Sequence, residues 1–297
     1  MRTVVYQSFR TRDVPSWIQA CLDSVRGWAD AQGFEYTFYD DRFFDLVPRE
    51  LYPRASAHKC ILADYARLVA AKNLLAEGYD RAIWLDADAL VFAPEKLTLP
   101  LSHGYAFCRE VWLDRVVFGR PQFKLTVNNA MSVFCSDQTI IDFYLHAADE
   151  ILRSSKPLAP VSIGTEFLLK LRRAHPFPLV TNVGILGPEM AYRYLQNEGS
   201  FLRPYLDFQT SAVYAANLCL SHQSGGPAFK GAPAGWKLDE PTLLGLIRRL
   251  QQDEGASLNQ WFSGSYVAPA DEFDRPISRY IGMRHALRDV ARAARKS

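Results

Sequence analysis

The sequence predicts an α/β protein in which a mostly parallel sheet is covered by helices. The first observation is that strand-like and helix-like segments alternate over residues 3–92. The second is an apolar run at 82–85 that leads directly into two acids, Asp86 and Asp88. A buried strand that ends at the carboxyl edge of such a sheet has this pattern, and ligands bind at that edge.

The first half of the chain gives the clearest elements. Apolar residues recur every three to four positions in the predicted helices, and Gly33 and Gly78 follow the two helices as stop signals. A charged, proline-containing loop separates the second strand from the second helix. The predicted order is strand, helix, strand, loop, helix and strand, with the bounds 3–9, 15–31, 34–39, 40–53, 56–77 and 82–85.

The alternation weakens in the second half. Strands are predicted at 105–109 and 127–134, and residues 176–235 are predicted to be mostly loop or short strand because Pro and Gly are frequent there. The predicted helices of this half are 137–153, 165–173, 241–252 and 277–296. We therefore expect one main domain at 1–235 and a helical appendage at 236–297 that packs on it.

Composition narrows the class of protein. A net charge of +2 over 297 residues does not favour a nucleic-acid partner. The five cysteines lack C-x-x-C spacing, which disfavours zinc and redox motifs and fits a reducing compartment. The first residues do not have the form of a signal peptide, and no apolar run reaches about 18 residues. We expect a cytoplasmic protein.

The last predicted helix has a basic side. Its thin apolar stripe favours a solvated helix docked on the domain, and the alternative is peripheral contact with anionic lipid at the inner face of a membrane. The basic residues beside or opposite the stripe are Arg284, Arg288, Arg292 and Arg295.

Asp86 and Asp88 predict a metal site. Two carboxylates one residue apart are costly to bury without positive charge nearby, and Mg²⁺ or Mn²⁺ prefers such hard oxygen ligands. A cation held there would neutralise the charge that a departing diphosphate acquires. The alternative is an acidic surface turn, but the position directly after a buried strand favours the metal site.

Asp64 and Arg67 are three residues apart on the predicted helix 56–77 and therefore share a face. This helix leads into the strand that carries Asp86. We expect Asp64 to accept hydrogen bonds from sugar hydroxyls and Arg67 to donate to sugar or phosphate. The alternative is an ordinary surface ion pair.

His222 follows an apolar run and precedes Gly225 and Gly226. It is a candidate third metal ligand, since imidazole suits Mn²⁺ better than Mg²⁺. The glycines would let the backbone approach a phosphate closely, and Lys230 would meet the diphosphate as a point charge. The alternative is a loop histidine with an ordinary hydrogen-bond partner.

Two further polar signals are less specific. Asn128 and Asn129 lie in a strand-like stretch, so their amides need partners, either sugar hydroxyls or the backbone. Glu166 lies in the first turn of the predicted helix 165–173, where the helix dipole favours an acid. Its functional interpretation is an acceptor-binding group or a base.

Several of these motifs together resemble the DXD-containing GT-A glycosyltransferases, the group with fungal initiating α-mannosyltransferases, animal lactosylceramide α-galactosyltransferases and bacterial capsule enzymes. The resemblance covers about residues 3–230. Its specific part is the D-x-x-R of Asp64 and Arg67 followed by the D-x-D of Asp86 and Asp88. An opening strand, V-V-Y-Q-S-F, a strand with two acids at 36–41, an N-x-x-M segment and a late His also have counterparts.

The resemblance implies a GT-A-like fold with a Rossmann-like sheet and a role in donor binding for Tyr6 and Gln7, which stand where the family has His-Gln. It also implies that Asp64 and Arg67 contact the donor sugar. Asp86 and Asp88 would hold the ribose and the metal, together with His222.

The resemblance further implies transfer of a hexose from a nucleotide diphosphate sugar to a saccharide or glycolipid acceptor, with Mn²⁺ or Mg²⁺. UDP is the most frequent donor nucleotide in the family, which is mostly retaining, and bacterial-type surface polysaccharide or glycoconjugate synthesis is the expected setting. No carboxylate nucleophile is evident, so we expect a front-face displacement with the leaving phosphate as base.

Two other functions remain open. A sugar-nucleotide pyrophosphorylase also uses a metal and a diphosphate, but it would require a Gly-rich basic loop after the first strand, and residues 8–13 contain no Gly. A non-catalytic nucleotide-sugar-binding subunit would have a degenerate site, whereas the set of Asp64, Arg67, Asp86 and Asp88 is complete.

Overall fold

The computed structural model describes residues 1–99, 104–137, 139–220, 229, 232–268 and 273. Nine strands in two sheets organise this part of the chain. They are β1 Thr3–Ser8, β2 Glu35–Tyr39, β3 Arg81–Leu85, β4 Ala89–Val91, β5 Tyr105–Val117, β6 Arg120–Cys135, β7 Leu179–Val180, β8 Val183–Ile185 and β9 Ala215–Asn217.

The larger sheet has six strands in the order β2-β1-β3-β6-β5-β7. Neighbours are parallel except that β6 is antiparallel to both β3 and β5, so all strands but β6 run in one direction. The smaller sheet has the order β4-β9-β8, with β9 antiparallel to β4 and parallel to β8. The predicted α/β class with a mostly parallel sheet is confirmed.

Helices surround these sheets within the described residues. The segment predicted as a loop at 40–53 contains a 3₁₀ helix at Asp41–Leu46, and a short helix at Tyr52–Ala55 begins within it. The helices are α1 Ser16–Ala31, α2 Tyr52–Ala55, α3 Lys59–Ala76, α4 Ile140–Arg153, α5 Thr165–Ala174, α6 Pro188–Leu195, α7 Gly199–Gln209, α8 Glu240–Gln252 and α9 Ala256–Asn259. None of the helices described is long and apolar enough to cross a bilayer.

The central strands are buried on both faces, as their continuous apolar runs predict. Val5 and Ile83 belong to one apolar cluster, whereas Val4, Tyr6 and Trp84 belong to the other. Side chains alternate between the faces of a strand, so the two clusters are the two layers of core above and below the sheet. Packing in both layers holds β3 in place, and Asp86 follows directly after its last residue.

Two predictions for the second half were wrong in extent. The strands predicted at 105–109 and 127–134 are the inner parts of a long hairpin formed by β5 and β6. The segment 176–235, predicted to be mostly loop or short strand, contains the short strands β7, β8 and β9 but also the helices α6 and α7, which were not predicted. Pro188 occupies the first turn of α6, where its missing N–H removes no helical hydrogen bond. α7 accommodates Pro204 internally and buries most of its side chains.

The C-terminal part is described in its first section only. Helix α8 confirms the prediction for 241–252, and it is tied to α1 where the Ser16 N–H donates to the Glu240 carboxylate at 2.6 Å. The helix predicted at 277–296, with its basic side, lies outside the described residues. The division at residue 235 stays a prediction.

Candidate active site

Asp86 and Asp88 lie in the short segment that joins β3 of the large sheet to β4 of the small one. The Asp86 N–H donates to the carbonyl of Ala130 on β6 at 2.8 Å. The Asp88 carbonyl accepts from the N–H of Leu218, just after β9, at 2.9 Å. Both sheets therefore hold this segment, at the edge where the sequence predicted the acids.

Arg67 connects three parts of the site. Its guanidinium lies 3.2 Å from Asp64 Oδ1 and 3.2 Å from Asp86 Oδ1, and it donates to the Asn129 carbonyl at 2.7 Å. It also lies over the Trp84 ring, 4.8 Å from the ring centroid. The Arg67 and Asp64 side chains are only 7% and 8% exposed, so this pair is not a surface ion pair. The pair is an i,i+3 ion pair, but a buried one, and the contact of Asp64 and Arg67 with a donor sugar stays a prediction.

Tyr6 and Gln7 support the acids from inside the fold. The Tyr6 hydroxyl donates to the Arg67 carbonyl at 2.8 Å, and Gln7 Nε2 donates to the Asp86 carbonyl at 3.1 Å while its Oε1 accepts from Tyr36. Neither Tyr6 nor Gln7 has exposed surface. Both side chains are therefore used in contacts within the fold, and their predicted contact with a donor stays a prediction.

Asn217, at the end of β9, bridges the two acids. Its Nδ2 donates to Asp88 Oδ1 at 2.7 Å and to Asp86 Oδ2 at 3.3 Å, and the Leu220 N–H donates to Asp88 Oδ2 at 2.7 Å. Burial and the neighbouring charge of Asp86 raise the pKa of Asp88 to about 7. Burial also raises the pKa of Asp86, and the positive charge of Arg67 opposes that rise.

Asp64 is held from two sides. Asn129 Nδ2 donates to Asp64 Oδ1 at 2.9 Å, so the amide that sequence analysis assigned to sugar hydroxyls or the backbone binds this carboxylate. Burial raises the pKa of Asp64 to about 6, against the effects of Arg67 and Asn129. Gly164 lies so close that a Cβ there would approach Asp64 Oδ2 to 2.5 Å. Asn129 and Gly164 thus determine the position of Asp64.

Glu110 is a buried acid that sequence analysis missed. Asn128 Nδ2 donates to Glu110 Oε1 at 3.3 Å, and burial raises the pKa of Glu110 to about 7. Asn128 connects Glu110 to the acids, because its Oδ1 accepts from the Ala130 N–H and the Ala130 carbonyl accepts from the Asp86 N–H. An acid within the apolar run of β5 was the available signal, but the strand was predicted to end one residue before it.

Three other predicted residues are not brought into this cluster by the described contacts. Glu166 is exposed and forms an ion pair with Lys170 at 2.8 Å, so its role at the acceptor stays a prediction. His222 and Lys230 lie outside the described residues. The chain that leads to them does reach the acids, because the N–H of Leu220 binds Asp88.

The described side chains supply some of the ligands that a divalent cation needs. Within the residues that the structure describes, no three His, Cys, Asp or Glu side chains lie close enough together to bind a metal. Asp86 and Asp88 nevertheless supply hard oxygen ligands. Asp86 Oδ2 and both carboxylate oxygens of Asp88 each accept one hydrogen bond and keep a second lone pair. Asp86 Oδ1 is already used, because it accepts from Trp84 Nε1 at 2.7 Å and lies 3.2 Å from the Arg67 guanidinium. Positive charge between the two acids would remove the repulsion that raises the pKa of Asp88.

Comparisons with known proteins give remote similarities. Neither the protein-family models nor the curated proteins compared with the sequence gave a match. Among solved structures, a glycosyltransferase involved in the glycosylation of the major capsid of PBCV-1 is similar at 12% identity, over 74% of this chain and 93% of that chain, with a TM-score of 0.41. Mouse xyloside xylosyltransferase 1 in its apo form is similar at 13% identity, over 74% and 98%, with a TM-score of 0.38.

Both structural neighbours are glycosyltransferases. At this level of similarity, the fold class of the present chain is established by its own strand order and strand directions. The assignment of chemistry depends on the side chains around Asp86 and Asp88.

Proposed function

We propose that this protein is a metal-dependent glycosyltransferase of the GT-A type that transfers a hexose from a nucleotide diphosphate sugar to a saccharide or glycolipid acceptor. One observation carries the proposal. The acids Asp86 and Asp88 end β3 directly beside the buried pair of Asp64 and Arg67. A diphosphate-binding group and a sugar-binding group would adjoin in this arrangement.

In this proposal Asp86 and Asp88 hold Mn²⁺ or Mg²⁺, with His222 as the third protein ligand. When bound, the cation supplies positive charge for the leaving diphosphate and acts as a Lewis acid. Asn217 keeps both carboxylates at one amide nitrogen, so the pair is pre-positioned before any ligand arrives. Lys230 adds a point charge for the diphosphate.

Asp64 and Arg67 orient the donor sugar in the proposal. Arg67 is fixed by Asp64, Asp86 and the Asn129 carbonyl, so its guanidinium has little rotational freedom left to lose when a ligand binds. Asp64 can accept sugar hydroxyls at lone pairs that Arg67 and Asn129 leave free. Catalysis would then come mainly from positioning and from charge stabilisation.

The finer parts of the proposal come from the family resemblance. They are UDP as the nucleotide, transfer with retention through a front-face displacement, and a setting in bacterial-type surface polysaccharide or glycoconjugate synthesis. Glu166 is proposed to bind the acceptor or act as a base. Each of these parts can fail while glycosyl transfer itself stands.

Substitution of Asp88 by Asn tests the central claim. With purified protein, Mn²⁺ and a panel of UDP- and GDP-sugars, we expect donor hydrolysis to fall roughly 100-fold or more, because several kcal/mol of charge stabilisation would be lost. Asp142→Asn is the control, since that carboxylate is exposed and, in the part of the chain that the structure describes, pairs with Lys72. Full activity of Asp88→Asn would end the metal assignment.

Calorimetry separates an enzyme from a non-catalytic subunit. An active enzyme should bind UDP in the presence of Mn²⁺ and also turn over at least one donor. Mn²⁺-dependent UDP binding without any turnover across the panel would favour a binding subunit. Formation of a nucleotide sugar from a nucleoside triphosphate and a sugar phosphate would instead indicate a pyrophosphorylase.

A further inference from the structure

The tip of the β5–β6 hairpin projects an unusual group of apolar side chains. Val117 pairs with Arg120, and Phe118 and Gly119 form the two-residue turn between them. Phe118 is 99% exposed and Val116 and Val117 are each 38% exposed. An aromatic and two aliphatic side chains therefore meet solvent together at one end of the molecule.

The stability of the fold does not explain why a Phe occupies position 118. Phe118 and Gly119 have φ values of 49° and 73°, as in a type I′ turn. Asn, Asp and Gly favour these positions, whereas a bulky side chain with positive φ is strained. At this position Phe gains no burial and makes the hairpin less stable than Asn would. A role outside the fold would explain the aromatic ring.

One face of the hairpin end is basic. Arg120, Gln122 and Lys124 alternate along β6 and so project from one face, and cross-strand partners share that face. Arg115 pairs with Gln122 and joins them there. The only acid in the segment 113–124 is Asp114, which lies at a register shift and approaches Arg115 at 3.8 Å. The apolar tip therefore adjoins a cationic strip of Arg115, Arg120 and Lys124.

We propose that the hairpin tip docks on an anionic lipid surface, with Phe118 inserted at the boundary of the acyl chains. Aromatic and aliphatic side chains next to Arg and Lys are the combination that holds a protein at such a surface. A second copy of this chain fits the tip less well. A stable interface buries about 800 Å² on each partner, whereas a single aromatic side chain buries about 150–250 Å².

The docking proposal does not depend on the proposed function. Docking in this orientation nevertheless has a consequence for that function. Glu110 and Asn128 lie on the same face of the hairpin as Lys124, nearer the centre of the sheet. The cationic strip therefore runs from the tip toward the candidate active site. The hairpin would hold that site above the lipid surface from which a glycolipid acceptor would come.

Vesicle sedimentation tests the proposal with the full chain. Wild-type protein should bind vesicles of equal parts phosphatidylcholine and phosphatidylglycerol and bind phosphatidylcholine vesicles far less. Phe118→Asn keeps the turn favourable and removes the apolar tip, so its affinity for the anionic vesicles should fall roughly tenfold, or about 1.4 kcal/mol. Its thermal unfolding midpoint should be equal to or higher than that of the wild type.

Two matched variants complete the experiment. Phe143→Asn removes a half-exposed Phe from α4 and should leave vesicle binding unchanged. Arg115→Gln with Arg120→Gln should weaken binding to anionic vesicles at least tenfold, because each basic residue near such a surface contributes about 1 kcal/mol.

Three results would overturn the proposal. The first is wild-type protein that ignores anionic vesicles, and the second is Phe118→Asn that binds them as the wild type does. The third is a concentration-dependent dimer in sedimentation velocity that Phe118→Asn abolishes, which would make a second copy the occupant of the tip. Loss of glycosyl transfer in a soluble assay would leave the docking proposal unaffected.

Discussion

The two halves of the candidate site neutralise their acids in different ways. Asp64 and Asp86 share the positive charge of Arg67, at 3.2 Å from each. Asp88 and Glu110 are instead held by neutral donors, and within the described residues neither makes an ion pair. One half of the site therefore has two acids that share one cation, and the other half has two acids without an ion-pair partner among the described residues.

This difference affects how strongly each acid would favour an added cation. Burial raises the pKa of the acids in both halves, and Arg67 opposes the rise for Asp64 and Asp86. Asp88 has only hydrogen bonds to oppose it, and its pKa rises to about 7. A buried acid that lacks a protein cation either takes up a proton or binds a cation, so we propose the half with Asp88 as the place where a metal or a cationic group of a ligand would bind.

Replacement of Arg67 by Met should have the largest effect, because it removes the positive charge that distinguishes one half of the site from the other. Met keeps much of the apolar volume but leaves Asp64 and Asp86 without positive charge. Removal of one partner from a buried ion pair destabilises a protein by about 3–5 kcal/mol. We expect the free energy of unfolding in urea to fall by this amount at pH 7.

Lys72→Met is the matched control for that experiment. Lys72 pairs with Asp142 at 2.6 Å, but both side chains are more than half exposed. Exposed pairs contribute about 0–1 kcal/mol, so the control should change stability little. Equal effects of the Arg67 and Lys72 substitutions would show that Asp64, Asp86 and Arg67 do not form a charge network.

Glu110→Gln tests the half without a cation. The pKa of Glu110 is raised from 4.5 to about 7, so the folded state keeps its proton at pH values where the unfolded state has lost it. The stability that this group contributes is complete below pH about 4.5 and is lost as the pH rises to about 7. Gln does not ionise and can still accept from Asn128.

We expect the difference in free energy of unfolding between Glu110→Gln and the wild type to depend on pH. One pKa unit corresponds to about 1.36 kcal/mol, so the variant should gain up to about 3 kcal/mol relative to the wild type between pH 4.5 and 8. Urea unfolding at several pH values measures this difference. Parallel stability profiles would mean that Glu110 is not desolvated in solution.

Sequence patterns identify all three charged residues of the half with Arg67, whereas in the half with Asp88 they missed Glu110 and the bridging Asn217. Asp64 and Arg67 are three residues apart on one helix, and Asp86 follows the next strand, so local spacing identifies all three. Asn217 binds Asp86 across a separation of 131 residues. Periodicity carries no information on such a contact, so the bridging amide could not be predicted.

The fold likewise has parts that the sequence predicts and parts that it does not. Parallel strands β1 and β3 follow from apolar runs, because both faces of these strands are buried, and β2 was predicted although it is a partly exposed edge strand. The outer part of the β5–β6 hairpin was missed because it has exposed side chains and a Phe-Gly turn in place of Asn-Gly or Asp-Gly. Helix α7 was missed because Pro204 lies within it, and its burial against the core outweighs that local preference.

Gly164→Ala offers the smallest and most local test of the comparison. The added Cβ would lie 2.5 Å from Asp64 Oδ2 and 3.3 Å from Asn129 Nδ2. Asp64 cannot move away freely, because Arg67 and Asn129 hold its other oxygen. Overpacking of this kind destabilises proteins by about 1–3 kcal/mol.

Gly245→Ala is the control, since a Cβ there meets nothing within 4 Å in the middle of α8. That substitution should raise the free energy of unfolding by about 0.5–1 kcal/mol through helix propensity. Opposite signs for the two Gly→Ala variants in urea unfolding would show that Asp64 is rigidly positioned. If Gly164→Ala is neutral, Asp64 can shift, and Arg67 then neutralises a mobile acid rather than a fixed one.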